Sequence, residues 1–295
     1  MPLILSYGLW AAGCGLVFAA EDSSRGLTGT LLYSRLTEGT WQIWQADLAS
    51  GERLQVTSSA GDKRYPAWGP EGIVTYCTSN QACFVAQPGR PQQEMFLRDL
   101  APLRDLAWSA DGAQVAFARF RTDLVDSANL WIADAQGSRR RLMTQDAGIQ
   151  YNPTWSPDGT QLAYVGGHGY GTYELYRINA DGAGRQQLTR NASHECLPAW
   201  SPDGAWIAFT SDASGDYDIW VMKADGTALR QLTASPGLDT RPAWSPDGRH
   251  LAFATNRSGT LAIWVMRSDG SDPRPLERAD GGVCDPAWRK AVHSR

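Results

Sequence analysis

Apolar residues alternate with small or polar ones through short runs along most of this chain. Ile207 and Phe209 flank Ala208, and Leu251 and Phe253 flank Ala252. A period of two puts successive side chains on opposite faces of a β-strand. The runs also recur as a set. "PAWGPEG" begins at Pro66, "LAWSADG" at Leu106, "PTWSPDG" at Pro153 and "PAWSPDG" at both Pro198 and Pro242; a shortened "PAWRKA" begins at Pro286. Their tryptophans, Trp68, Trp108, Trp155, Trp200, Trp244 and Trp288, stand 40, 47, 45, 44 and 44 residues apart. Strand-rich units repeating at about 40–50 residues predict the blades of a β-propeller.

Each unit divides into four short strands. "PAW" opens the first, with proline at an opening residue where its missing N–H does least harm. "SPDG" suits a type I turn. The alternating run is the second strand, "DIWVM", "AIWVM", "NLWIA" or "ELYRI" the third, and a segment ending "QLT" the fourth. The repeated tryptophans and aliphatics read as core between sheets. The first unit lacks its first strand: "TLLYSR" (30–35), "QIWQAD" (42–47) and "RLQVT" (53–57) match only the second to fourth. The final "PAWR" is a first strand with no unit behind it. The expectation is therefore an all-β, six-bladed propeller of four-stranded antiparallel blades over residues 29–295. N- and C-terminal strands would share one blade and hide both sheet edges.

Composition narrows the class. With 42% hydrophobic and 20% charged residues, 30 Gly, 16 Pro and 13 Trp, the chain predicts a packed, turn-rich body. A net charge of −4 with dispersed acids supplies no basic face for nucleic acid. Residues 1–20 carry no charge. They read as the apolar part of a secretory signal, with an uncleaved membrane anchor as one alternative. "AAGC" offers another, lipidation at Cys14; residues 21–28 would be a linker. Cys77 and Cys83 flank "TSNQA" between two strand-like runs, so a cross-hairpin disulfide and a pair of free thiols both fit.

The pattern "PAWSPDG…IAFTS…IWVM…ADG…QLT" resembles the PD40-type, WD40-like repeat of TolB propellers from residue 29 to 288. It is not a WD40 array, because no tryptophan is followed by Asp. The resemblance implies a periplasmic or extracellular docking protein that is not an enzyme and needs no cofactor. TolB itself places an α/β domain before its propeller, whereas only residues 21–28 stand between the leader-like segment and the first unit here. The Tol–Pal role is therefore not implied along with the fold. Peptidases built on related propellers need a G-x-S-x-G elbow, and this chain has none.

Loops on a rigid scaffold carry function, so the candidate binding residues are loop residues at the channel mouth. Arg64, Arg104 and Arg241 precede first strands at equivalent or adjacent offsets. They suit a carboxylate-bearing ligand or pairing with Asp62, Asp105 and Asp239. Arg119 opens the 119–129 loop. His168, Tyr170, His194 and Glu195 belong to two loops expected at one seam; two histidines and a carboxylate form a metal-ligand set in principle, but solvated loop histidines are the simpler reading. Glu195, Asp216 and Asp239 are the acids from which a glycan-cleaving pair would be drawn. "DASGDYD" (212–218) lacks the spacing of a known Ca²⁺ loop. The expected function is a non-catalytic, monomeric scaffold for a protein or peptide in the cell envelope. The alternative is a carbohydrate-binding or carbohydrate-cleaving propeller.

Overall fold

The structure, a computed structural model, describes residues 26–79, 82–87, 93–94, 97, 100, 102–121, 127–167 and 172–289. The leader-like segment with Cys14, and the loop residues His168 and Tyr170, lie outside the described residues. Among those described, no helix is long and apolar enough to cross a membrane.

The first strands are β1 (Thr30–Thr37), β2 (Thr40–Asp47) and β3 (Arg53–Gln55). A second sheet holds β4 (Lys63–Trp68), β5 (Val74–Thr78), β6 (Cys83–Ala86) and β7 (Gln93–Glu94). There follow β8 (Leu103–Trp108), β9 (Gln114–Phe120), β10 (Ala128–Asp134) and β11 (Arg141–Leu142). Next are β12 (Ile149–Trp155), β13 (Gln161–Gly167), β14 (Tyr173–Asn179) and β15 (Gln186–Gln187). Two further four-stranded sheets are β16 (Glu195–Trp200) to β19 (Arg230–Gln231) and β20 (Asp239–Trp244) to β23 (Arg274–Glu277). Within them lie β17 (Trp206–Ser211), β18 (Asp218–Lys223), β21 (His250–Thr255) and β22 (Ala262–Arg267). The last strand, β24 (Val283–Trp288), returns to pair with β1, aligning Trp288 with Leu31 and Ala287 with Leu32. The terminal strands thus share one sheet, and the circle closes.

The expected six separate blades do not form. Four sheets stand as separate four-stranded blades, while β8 to β15 make up one eight-stranded sheet. The reason is a parallel bridge between Ala128 of β10 and Ile149 of β12, where the Ala128 N–H donates to Gly148 O at 3.3 Å. Asn129 reinforces it by donating from Nδ2 to Gln150 Oε1 at 3.0 Å. A repeat period reports strands, not hydrogen bonds between one unit and the next, so this fusion was invisible to it.

Packing follows the period-two pattern on both faces at once. In β9, Val115 and Phe117 enter the core shared with β8, while Ala116 and Ala118 face Trp155, Leu162 and Tyr164. In β13, Ala163 and Val165 meet Trp200, Ile207 and Phe209 of the next sheet. The seam that closes the circle packs Leu31 and Tyr33 against Ala252, Ile263 and Val265. Fully burying each such large side chain stabilises by about 1.5–3 kcal/mol.

The repeated motif residues have separate tasks. Trp68, Trp155 and Trp244 each donate from Nε1 to the backbone oxygen of Ala287, Ala107 and Ala199 in the preceding unit, at 3.0–3.1 Å. In each "S-x-D-G" turn the serine Oγ donates to the aspartate and accepts the N–H that opens the next strand, as with Ser156, Asp158 and Gln161. The "QLT" threonine closes the third strand: Leu130, Leu175 and Ile219 donate their N–H groups to Thr144, Thr189 and Thr233 at 2.8–3.0 Å. Leu27 is buried, and Thr28 O accepts from Trp288 Nε1 at 3.1 Å, so the packed body already includes these two residues.

Candidate channel site

One backbone irregularity recurs in every innermost strand. The register slips between Arg64 and Ala67, Arg104 and Ala107, Tyr151 and Thr154, Cys196 and Ala199, and Thr240 and Ala243. It slips again where β24 meets β1 between Leu32 and Ser34. Each slip contains one residue with φ of 48–59°: Tyr65, Asp105, Asn152, Leu197, Arg241 and Asp285. All but Asp105 precede a proline. Left-handed backbone is unusual for non-glycine residues and sits poorly before proline, so each position is held there by the surrounding sheet.

These six residues form a ring at the axis and line a cavity of about 570 Å³. Its wall is largely apolar, built from the repeated Pro-Ala-Trp segments, and it opens between the turns that carry Pro70, Pro157, Pro202 and Pro246. The ring is tied internally. Asp105 Oδ2 accepts the Asn152 N–H at 3.2 Å, Asn152 Oδ1 accepts the Leu197 N–H at 3.3 Å, and Asp285 Oδ2 accepts the Tyr65 N–H at 3.4 Å. Leu197 has no side-chain acceptor to offer onward, and the Arg241 N–H goes to Thr210 Oγ1 instead.

Charge within the ring is lopsided. Asp285 is buried between Arg64 (Nε to Oδ2, 2.6 Å) and Arg241 (Nε to Oδ1, 2.9 Å). Burial alone would raise its pKa, but the Arg241 and Arg64 guanidiniums outweigh that and hold it well below the usual carboxylate range. Both arginines also cover the Tyr65 ring, at 5.4 and 4.8 Å from its centroid. Asp105 differs. Burial pushes its pKa up, and the Asn152 N–H, Arg104 and Arg241 offset only part of that. No Lys, Arg or His nitrogen among the described residues lies within 4 Å of it.

The other sequence candidates are scattered. Arg64 and Arg241 meet, but on Asp285 rather than on Asp62 or Asp239. Arg104 covers Phe120 at 5.4 Å, and Arg119 covers Trp131 at 5.8 Å. His194 Nδ1 pairs with Asp212 at 3.1 Å. Glu195 is buried away from the channel beside Glu174, taking Asn191 Nδ2 and Ser211 Oγ on Oε1. Burial raises its pKa to about 7, and the Glu174 charge adds to the effect. Asp239 is buried against Arg257 Nη2 at 2.5 Å, while Asp216 is exposed. Glu195, Asp216 and Asp239 are thus held apart, each in its own surroundings. Cys77 and Cys83 face each other across β5 and β6 and are joined as a disulfide. Four of the six ring residues, Tyr65, Asn152, Leu197 and Asp285, are not marked by residue type. Their signal is positional, a changing residue directly before a nearly constant Pro-Ala-Trp.

Tandem four-strand units closed by a shared terminal sheet, around an axial ring, define the β-propeller class. Residues 89–227 and 213–291 match the PD40 family model, described as the TolB beta propeller domain, and the chain belongs to that family. It is 32% identical over 130 residues to the Tol-Pal system protein TolB of Anaeromyxobacter dehalogenans strain 2CP-C, covering 41% of this chain and 28% of that protein. The chain therefore spans less than a third of that relative's length. Among solved structures, TolB from Acinetobacter baumannii superposes with a TM-score of 0.75 at 22% identity, over 89% of this chain and 67% of that one. An oligogalacturonate lyase in complex with manganese gives 0.61 at 16% identity, over 88% and 76%. At these identities the two structures show shared fold alone.

Proposed function

We propose that this chain is a non-catalytic, extracytoplasmic scaffold that binds a protein or peptide along its channel axis. The observation that carries the reading is the ring of six left-handed residues lining an apolar cavity. Strained backbone at equivalent places, with unlike side chains, marks positions kept for presentation rather than for packing. A cavity of about 570 Å³ falls among ligand pockets, which run about 300–1,000 Å³. Membership of the TolB propeller family supports a protein partner in the cell envelope, and the leader-like segment supports export. The carboxylates first considered for glycan cleavage are held in separate surroundings and do not converge on the channel cavity, which weighs against that alternative.

The test is photo-crosslinking in the native host from an azidophenylalanine at Leu197, in the ring, with one at the exposed Leu229 as control. A discrete adduct with one envelope protein from Leu197 and not from Leu229 is expected. Equal labelling from both positions, or glycan cleavage by the purified protein, overturns the reading.

A further inference from the structure

The charges around the cavity are not balanced. Its lining carries four carboxylates, Glu71, Asp105, Asp111 and Asp285, against two guanidiniums, Arg241 and Arg289. Asp285 is already held by Arg64 and Arg241, and Arg289 lies over the Trp68 ring at 5.2 Å. Asp105 alone among the ring's charged groups has no ion-pair partner within the described residues. Its hydrogen bonds come from a single neutral neighbour, Asn152, through the backbone N–H and the side chain. A carboxylate half-buried on a largely apolar wall with no cation beside it is stabilised when one arrives, and the upward direction of its pKa agrees. The approach to it runs between indole edges, proline rings and alanines, a surface suited to an aliphatic stem with a charged tip.

We infer that the channel cavity admits a basic segment of a partner polypeptide, whose lysine or arginine side chain descends the axis and places its cation on Asp105. This rests on the peptide-binding reading above and deepens it. The occupant is a polypeptide rather than a small amine because the cavity has room for several residues around the one that reaches the ring. Its acidic lining also favours a cationic chain over an acidic one.

The experiment is calorimetric titration of the full chain, at low salt, with capped pentapeptides that differ only in a central Lys, Arg, norleucine or Glu. Free n-butylamine is titrated alongside. The lysine and arginine peptides should bind at least tenfold more tightly than the norleucine peptide, the preference shrinking as salt rises. Asp105→Asn keeps an acceptor for the Asn152 N–H, suits left-handed backbone and removes the uncompensated charge, so it should fold with a Tm no lower than the wild type's. It should erase the preference of the lysine and arginine peptides over the norleucine peptide. Equal binding of all four peptides, or a preference that survives Asp105→Asn, overturns the inference and leaves the scaffold reading standing. Butylamine binding as tightly as the lysine peptide overturns the polypeptide assignment. If no peptide binds while the Leu197 crosslink still captures a partner, this inference alone falls.

Discussion

Single residues in this chain are best understood by asking what each would do unpaired. Asp285 and Asp105 occupy equivalent bulges, yet one carries two guanidiniums and the other only the neutral Asn152. Nothing in the sequence around them foretells that difference in pairing, because the partners Arg64 and Arg241 come from other strands. Glu195 is the third case. Its pKa rises from 4.5 to about 7 through burial and the neighbouring Glu174, so the folded protein holds a proton that the unfolded chain releases. The resulting stability is full below about pH 4.5 and is lost as pH climbs to about 7. Glu195→Gln should remove that slope, so the difference in Tm between variant and wild type widens in the variant's favour from pH 4.5 to 7.5. A difference that stays constant across this range would show that Glu195 is ionised in the fold.

At the scale of elements, the repeat was largely legible. The period-two runs, the type I turns and the opening "PAW" strands all appear where the pattern put them, since each depends on local geometry. The bulge in the first strand was not legible: a slipped residue has no composition signal, and proline at the next position argues for extended backbone. The tryptophans show how equivalent positions differ in energy. Trp155 donates to Ala107 O at 3.0 Å, whereas the buried Nε1 of Trp200 has no acceptor. Trp155→Phe should therefore cost about 1 kcal/mol more than Trp200→Phe, since one replacement removes a hydrogen bond and the other removes an orphaned donor. Urea denaturation midpoints of the two variants, at matched m-values, measure this directly.

Across the whole molecule, closure rests on β24. Leu31, Tyr33, Val283 and Trp288 form one cluster with the β21 and β22 side chains, so the last strand belongs to two seams at once. Truncation from Pro286 removes Trp288 and its bond to Thr28. Limited proteolysis should then cut the truncated chain within β1 to β3 well before the intact one; equal resistance would mean that the circle holds without its clasp. Sequence alone fixed the shared terminal sheet, because the missing strand at one end and the surplus strand at the other are complementary. It overcounted the separate sheets, because the Ala128–Ile149 bridge joins neighbours at a point where the repeat looks ordinary.

The bulges also bear on how such a protein changes over generations. Tyrosine, aspartate, asparagine, leucine and arginine all take nearly the same torsion at these positions, so the main chain there is indifferent to what it displays. A new specificity can then arise by exchanging letters at Tyr65, Asn152 or Leu197 in an otherwise unaltered frame, whereas Arg241 and Asp285 would have to change together.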